Sequence, residues 1–195
     1  MATLVIHPED ITTYFLKPIY SMNTEWKVIT SNIIKSEELI AEIEKADNLI
    51  LMGHGDVNGL FSINNSTKYI IDSSFCGYLQ SRNCLLLWCN ANEFVKKNNL
   101  EFNSIFTGMF ISEIGELAFL NENFEFEENI LDYKPMIDES NKSFATTLGD
   151  LLRENNFRDM TCIYESLQKD YGLVAKRNEV AAYNHSRIYF NKPNQ

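Results

Sequence analysis

Two residues in this chain pair a reactive side chain with a setting that could use it. His54 stands between Gly53 and Gly55, directly after the apolar run Asn48-Leu-Ile-Leu-Met52. Cys89 stands directly after a second apolar run, Cys84-Leu-Leu-Leu-Trp88, and is followed by Asn90-Ala91-Asn92. An imidazole titrates near neutral pH and serves as general base or acid. A thiol within reach of such a base is a nucleophile able to form a covalent intermediate. Glycine on both sides of His54 lets the backbone turn sharply and approach a substrate. The Gly55 N–H could then face a developing oxyanion. Each residue also has a plainer reading. A strand-terminal histidine commonly bonds a loop carbonyl, and a free cysteine commonly acts as a small buried hydrophobe. The plainer reading suits Cys76, Cys84 and Cys162.

These side chains need elements to position them. A short apolar run without alternation predicts a strand buried on both faces of a parallel sheet. In such sheets the ligand crevice lies beyond the carboxyl ends of the strands. Adjacent strands lie about 4.8 Å apart. Two neighbouring parallel strands would therefore bring His54 and Cys89 out at one edge. A helix predicted over Ala91–Asn98 would place Cys89 near a helix N-terminus, which lowers a thiol's pKa and supplies N–H donors.

The remaining pattern alternates strand and helix. Strands are expected at Thr3–His7, Trp26–Thr30, Asn48–Met52, Cys84–Trp88 and Ser104–Ile111, with a short extended piece at Tyr69–Ile71. Helices are expected at Ile11–Tyr20, Ser36–Ala46 (capped by Ser36), Ser73–Gln80, Ala91–Asn98, Ile114–Leu120, Ser140–Asn155 and Arg158–Tyr171. The stretch between Asp56 and Lys68 reads as a loop or small hairpin, and Glu122 to Glu128 as a solvated acidic loop. Asp138 to Asn141 reads as a cap for the next helix, and Tyr183 to Phe190 as a candidate edge strand. The fold class is α/β, a doubly wound, mostly parallel sheet flanked by helices with a helical C-terminal region. The expected organisation is a single domain over residues 1–195, with the sheet core in 1–120.

A hydrophobic strand ending in His-Gly, then a hydrophobic strand ending in a nucleophilic Cys, resembles the caspase-like cysteine peptidases. That group includes caspases, metacaspases, gingipains and separase. Gly53-His54-Gly55 is similar to the Ser-Gly-His-Gly segment of metacaspases. The resemblance implies a caspase-haemoglobinase fold over roughly residues 1–120. It implies His54 as base or acid, Cys89 as nucleophile, and oxyanion contacts from the Gly55 and Cys89 amides. The chain also departs from the metacaspase pattern. Trp88 stands where an acidic residue is usual, and Asn90-Ala91-Asn92 replaces a Cys-His-Ser-Gly-like sequel. A non-cleaving relative of the same fold is therefore the alternative, one that holds or sequesters a small polar, nucleotide-like ligand or a partner protein. A different hydrolase or transferase using Cys89 covalently is a third reading.

Four carboxylates are expected near the same edge: Asp56 after His54, Asp72 after a strand, Glu93 after Cys89 and Glu113 after the fifth strand. In the group resembled, acidic pockets bind Arg or Lys beside the cleaved bond, and basic pockets bind Asp. The expectation is a preference for a basic residue there. The plainer alternative is that Glu93 and Glu113 suit helix N-termini. His7-Pro8 with Thr12 and Thr13 follows the first strand at the same edge, where the hydroxyls could line a pocket or cap a helix. Arg187, with Tyr183, Asn184 and His185, could bind an anion or form an ordinary edge strand.

Composition narrows the classes. The 195 residues carry a formal charge of −10, which argues against a nucleic-acid partner. No run reaches 18 apolar residues, and the first residues lack a signal-peptide pattern, so the expected compartment is the cytosol and no membrane is expected as partner. Four cysteines without paired spacing argue against a disulfide framework. Three histidines without ligand spacing argue against zinc, and a metal hydrolase built on His54 and Asp56 lacks a third ligand. No cofactor is expected. The partner is a peptide or protein substrate, or a small polar ligand. Abundant Asn, Ile, Lys and Phe suggest an AT-rich coding genome, bacterial or phage.

Overall fold

Residues 1–8, 10–31, 35–62, 65–121 and 129–192 are described by a computed structural model. In chain order the elements are β1 (Thr3–Ile6), a 3-10 turn (Tyr14–Ile19), β2 (Lys27–Ile29), α1 (Ser36–Glu44) and β3 (Asn48–Met52). Three small strands follow, β4 (Gly55–Asp56), β5 (Gly59–Ser62) and β6 (Asn65–Ile71), then a 3-10 turn (Ser73–Phe75) and α2 (Cys76–Leu79). Next come β7 (Asn83–Leu87), α3 (Ala91–Lys97), β8 (Ser104–Thr107) and α4 (Ile114–Asn121). A 3-10 turn (Ile130–Tyr133), α5 (Lys134–Asn155), α6 (Met160–Ala175), α7 (Glu179–His185) and β9 (Ile188–Asn191) complete the order.

The main sheet has the order β2-β1-β3-β7-β8-β9. Its first five strands are parallel, and β9 runs antiparallel to β8. β3 and β7 pair in register from Asn48 opposite Asn83 to Met52 opposite Leu87. The two apolar runs are thus the neighbouring parallel strands that their composition predicts. β4, β5 and β6 form a separate antiparallel sheet, the hairpin alternative for that stretch.

Both faces of the main sheet are covered. Val5, Ile50, Met52, Leu85, Leu87 and Ile105 pack against α5, α6 and α7, through residues such as Phe144, Leu148 and Tyr171. Leu4, Leu49, Leu51, Leu86 and Phe106 pack on the other face against α1, α2 and α3, through Leu39, Leu79 and Phe94. Burying one such side chain contributes about 1.5–3 kcal/mol. This two-sided burial explains why the central strands are continuous apolar runs.

Several boundaries differ from the sequence reading. Only a 3-10 turn forms within Ile11–Tyr20, with Pro18 inside it. Ser36 is the first residue of α1, and its N-cap is Lys35. The cap at Ser73–Phe75 is Asp72, whose carboxylate accepts the Ser74 N–H at 2.8 Å. α5 begins at Lys134, with Pro135 in its first turn, where a missing N–H costs nothing. Asp138 to Asn141 therefore lie inside a helix and do not cap one. The Tyr183–Phe190 segment is split between the end of α7 and β9, which is indeed an edge strand. The sheet thus draws one strand from beyond residue 120. The acidic stretch Glu122 to Glu128 lies outside the described residues. Among the described residues no helix is long and apolar enough to cross a membrane.

Candidate functional site

β3 ends at Met52, and Gly53 leaves it with φ of 141°, a region that favours glycine. The Gly53 N–H still bonds the Leu87 carbonyl at 3.2 Å, so His54 is the first residue beyond the sheet edge. Gly55 is held against Trp88, where an added Cβ would lie 2.4 Å from the indole Cδ1. The indole N–H donates to the Asp56 carbonyl at 3.1 Å and ties the small sheet to the end of β7.

His54 and Cys89 line one cleft at the carboxyl ends of β3 and β7. Thr13, Ser112 and Glu116 make its polar side, and Phe15, Phe110 and Phe144 its apolar side. Its free volume is about 30 Å³, room for one or two waters, so a larger ligand must lie across its mouth.

Proton bookkeeping sets the state of His54. Its Nε2 lies 2.6 Å from Thr12 Oγ1 and 3.3 Å from Asp10 Oδ2. The Thr12 hydroxyl donates its one proton to Asp10 Oδ1 at 2.7 Å. Its oxygen is therefore an acceptor toward His54, and the ring proton sits on Nε2. Nδ1 is left as the basic nitrogen, with no hydrogen-bond partner among the described residues. Burial works against an ionised Asp10. The bonds from the Thr12 hydroxyl and the Thr12 and Thr13 N–H groups, with the adjacent His54, outweigh it and hold the carboxyl below its ordinary value.

The turn carrying Asp10 is braced from beneath. Thr13 Oγ1 accepts the Asp10 N–H at 3.2 Å and lies 3.1 Å from His7 Nε2. His7, fully buried at the end of β1, places Nδ1 3.2 Å from the Tyr20 hydroxyl. The first strand thus delivers a hydrogen-bonded chain that ends on His54.

Cys89 faces a different set of groups. Its thiol donates toward Glu116 Oε1 at 3.4 Å and the Phe110 carbonyl at 3.6 Å. Burial pushes the thiol pKa well up, and the Glu116 and Glu113 carboxylates push it further. The lowering expected from a helix N-terminus is overturned. The N-cap of α3 is Asn90, with φ of 65°, so Cys89 precedes the cap and faces a carboxylate. Glu116 is the third residue of α4, and Oε2 accepts the Ser112 hydroxyl at 2.8 Å and the Glu113 N–H at 3.1 Å. Burial raises the Glu116 pKa against those bonds. No hydrogen bond joins Cys89 to His54 among the described residues.

The four carboxylates expected at the rim are dispersed. Asp56 accepts the Asn58 N–H at 2.7 Å and the Tyr69 hydroxyl at 3.0 Å within the small sheet. Asp72 caps its 3-10 turn. Glu93 is exposed in the first turn of α3 and accepts from Asn92 at 3.1 Å. Glu113 precedes α4, close enough to Cys89 to raise its pKa. None of the four lines the cleft, and neither does Gly55, which pairs with Leu60. The carboxylate that does line it, Glu116, is absent from the sequence reading, as is Asp10. Their signals were local: a Glu three residues into a helix, and an Asp two residues before a Thr in an Asx turn. Thr12 and Thr13 do sit at the edge anticipated for them. Among the described residues no cluster of three or more His, Cys, Asp or Glu side chains is placed to hold a metal ion.

Comparison with protein-family models, with curated proteins and with solved structures returned no match.

Proposed function

We propose that this chain is a caspase-like cysteine hydrolase acting on peptide bonds, with Cys89 as nucleophile and His54 as its acid–base partner. The observation that carries the reading is one juxtaposition. His54 and Cys89 leave adjacent parallel strands at the same edge and line the same cleft. The Asp10–Thr12 pair supports it, because it orients the imidazole and leaves Nδ1 free to accept a proton. In this scheme His54 Nδ1 takes the thiol proton and the thiolate attacks the substrate carbonyl carbon. The C–N bond breaks, the amine leaves with the proton from Nδ1, and water hydrolyses the thioester with His54 again as base. The resting thiol is protonated, so attack requires Cys89 to turn from Glu116 toward the imidazole.

The reading is tested with a positional library of internally quenched peptides. Cleavage by the natural chain, lost in both Cys89→Ala and His54→Ala, is the expected result. The expected taste for a basic residue rests on carboxylates that lie off the cleft, and the same library measures it. An uncleaved library, together with Cys89 alkylation that His54→Ala leaves unchanged, overturns the hydrolase reading. One observation favours a second reading, a non-catalytic binding module: the thiol is buried, neutral and bonded away from His54. In that case Cys89→Ala leaves function intact.

A further inference from the structure

We propose that a cavity between α4 and α7 binds a small amine with a benzene-sized apolar body, at a site separate from the Cys89 cleft. The cavity has a volume of about 150 Å³, five times the roughly 30 Å³ of the cleft. Ile111, Leu117, Tyr133 and Val180 form its walls, and each is more than nine-tenths buried. An apolar cavity of about this size stays dry and accepts a guest such as benzene. Unfilled, it costs the fold stability, which a guest of matching shape restores.

The sequence of α4 accounts for the apolar walls. It reads Ile-Gly-Glu-Leu-Ala-Phe-Leu-Asn, apolar around most of its circumference. Such a helix calls for cover on more than one side. Leu117 is covered, whereas Phe119 is 66% exposed. The segment from Phe110 to Leu117 separates the two spaces. Phe110 and Glu116 line the Cys89 cleft, while Ile111 and Leu117 line the cavity. Asn184 of α7 holds the Ile111 N–H at 2.7 Å and its carbonyl at 2.9 Å, which fixes this wall against α7.

Charge at the mouth sets the ligand class. Glu179 is the one charged residue lining the cavity, and it is exposed in the first turn of α7. Among the described residues no cation stands at ion-pair distance from it. The nearby Arg177 pairs with Glu139 at 2.6 Å, and the Arg187 guanidinium rests over the Tyr183 ring, 5.0 Å from its centroid. A guest whose body fills the apolar walls therefore leaves its polar end beside a carboxylate, on a chain of formal charge −10. A protonated amine is attracted there and an anion is repelled. The volume admits one ring and excludes a folded peptide segment.

The test is a titration of the whole ¹³C-methyl-labelled chain, followed at the methyl signals of Ile111, Leu117 and Val180. The probes are 2-phenylethylamine, the neutral 2-phenylethanol and the anionic 3-phenylpropanoate. The expected result is a saturable shift at all three residues, with the amine binding about two- to fivefold tighter than the alcohol and the anion weakest. Glu179→Gln, on the surface, should level the amine and the alcohol while both still bind. Leu117→Phe should fill the cavity and abolish the shifts, and Val180→Leu, a smaller addition, should weaken them in a chain whose methyl spectrum remains dispersed. Silent methyl signals, an anion that binds as tightly as the amine, or undiminished binding in Val180→Leu overturns the proposal. Shifts that follow protein concentration and ignore the probe overturn it too, since they mark a second copy on this face. Cys89 takes no part in the titration, so the outcome is independent of the hydrolase reading.

Discussion

The protonation of Cys89 is decided by the groups around its sulfur. Apolar burial raises the thiol pKa first, and the Glu116 carboxylate raises it again. Removing that charge while keeping a capping acceptor tests the balance. Glu116→Gln retains an oxygen for the Glu113 N–H and takes the negative charge from the thiol's side. A charge at this range moves a pKa by about one unit or more. Cys89 alkylation by iodoacetamide at pH 8, read by mass spectrometry, should therefore rise about tenfold. An unchanged or slower rate would mean that Glu116 does not repress the thiol. On the facing side, Thr12→Val keeps the side chain's shape and removes the hydroxyl between Asp10 and His54. Imidazole ¹⁵N shifts in the natural chain should report the Nε2–H tautomer, and in Thr12→Val a mixture of tautomers. His54 and Cys89 were legible in the sequence because each ends an apolar run. Asp10 and Glu116 were not, because their roles arise from contacts across the fold. Thr12 meets His54 over 42 residues, and Cys89 meets Glu116 over 27.

One level up, the segment between β8 and α4 decides where Phe110, Ser112 and Glu116 stand around the thiol. It is clamped by helices far away in sequence. Asn184 of α7 accepts the Ile111 N–H at 2.7 Å and donates to the Ile111 carbonyl at 2.9 Å. Asn141 of α5 donates to the Ser112 carbonyl at 2.8 Å. Asn184→Ala strands a buried N–H and a buried C=O, each costing about 1–3 kcal/mol. The expected loss in urea unfolding is roughly 2–4 kcal/mol in all. Cys89 alkylation should rise by more than that global loss explains, because the clamp holds the thiol's own acceptors. A loss below about 0.5 kcal/mol would show that the clamp is not structural. These clamps also explain which elements could be read beforehand. β3 and β7 announce themselves as apolar runs, and their pairing follows from short parallel crossovers. α7 is seven residues long and stands by tertiary bonds such as these, so it carries little periodic signal. The first six residues of α5 were missed for another reason: Ser140 reads as a cap, yet it is a buried helical residue whose hydroxyl meets Tyr171 at 2.6 Å.

For the molecule as a whole, stability and site share one structure, since the strands that present His54 and Cys89 are the centre of the core. The fold class was legible because two-sided burial leaves continuous apolar runs. The sheet's sixth strand was only hinted at, because β9 is half-buried along most of its length. The cysteines supply internal reporters of this shared core. Cys162 is exposed, Cys76 and Cys89 are half-buried, and Cys84 is fully buried in β7 between its neighbours β3 and β8. Burial pushes the Cys84 thiol far up, so it reacts only when the sheet opens. Ile50, also fully buried, sits opposite Leu85 on the adjacent strand. Ile50→Ala leaves a cavity in the layer beneath α5 and should cost about 2–5 kcal/mol. With reagent slow relative to reclosing, labelling of Cys84 tracks the open population, and each 1.4 kcal/mol or so is a factor of about ten. Cys84 in Ile50→Ala should therefore label at least about twenty-fold faster than in the natural chain. Cys162 should keep its rate, because exposure already grants the reagent access. If Cys84 and Cys162 accelerate together, the labelling reports a loosened surface and the sheet is not the cooperative centre. If Cys84 accelerates, Cys162 does not, and Cys89 follows only in part, the cleft at the strand ends opens by a smaller motion than the core.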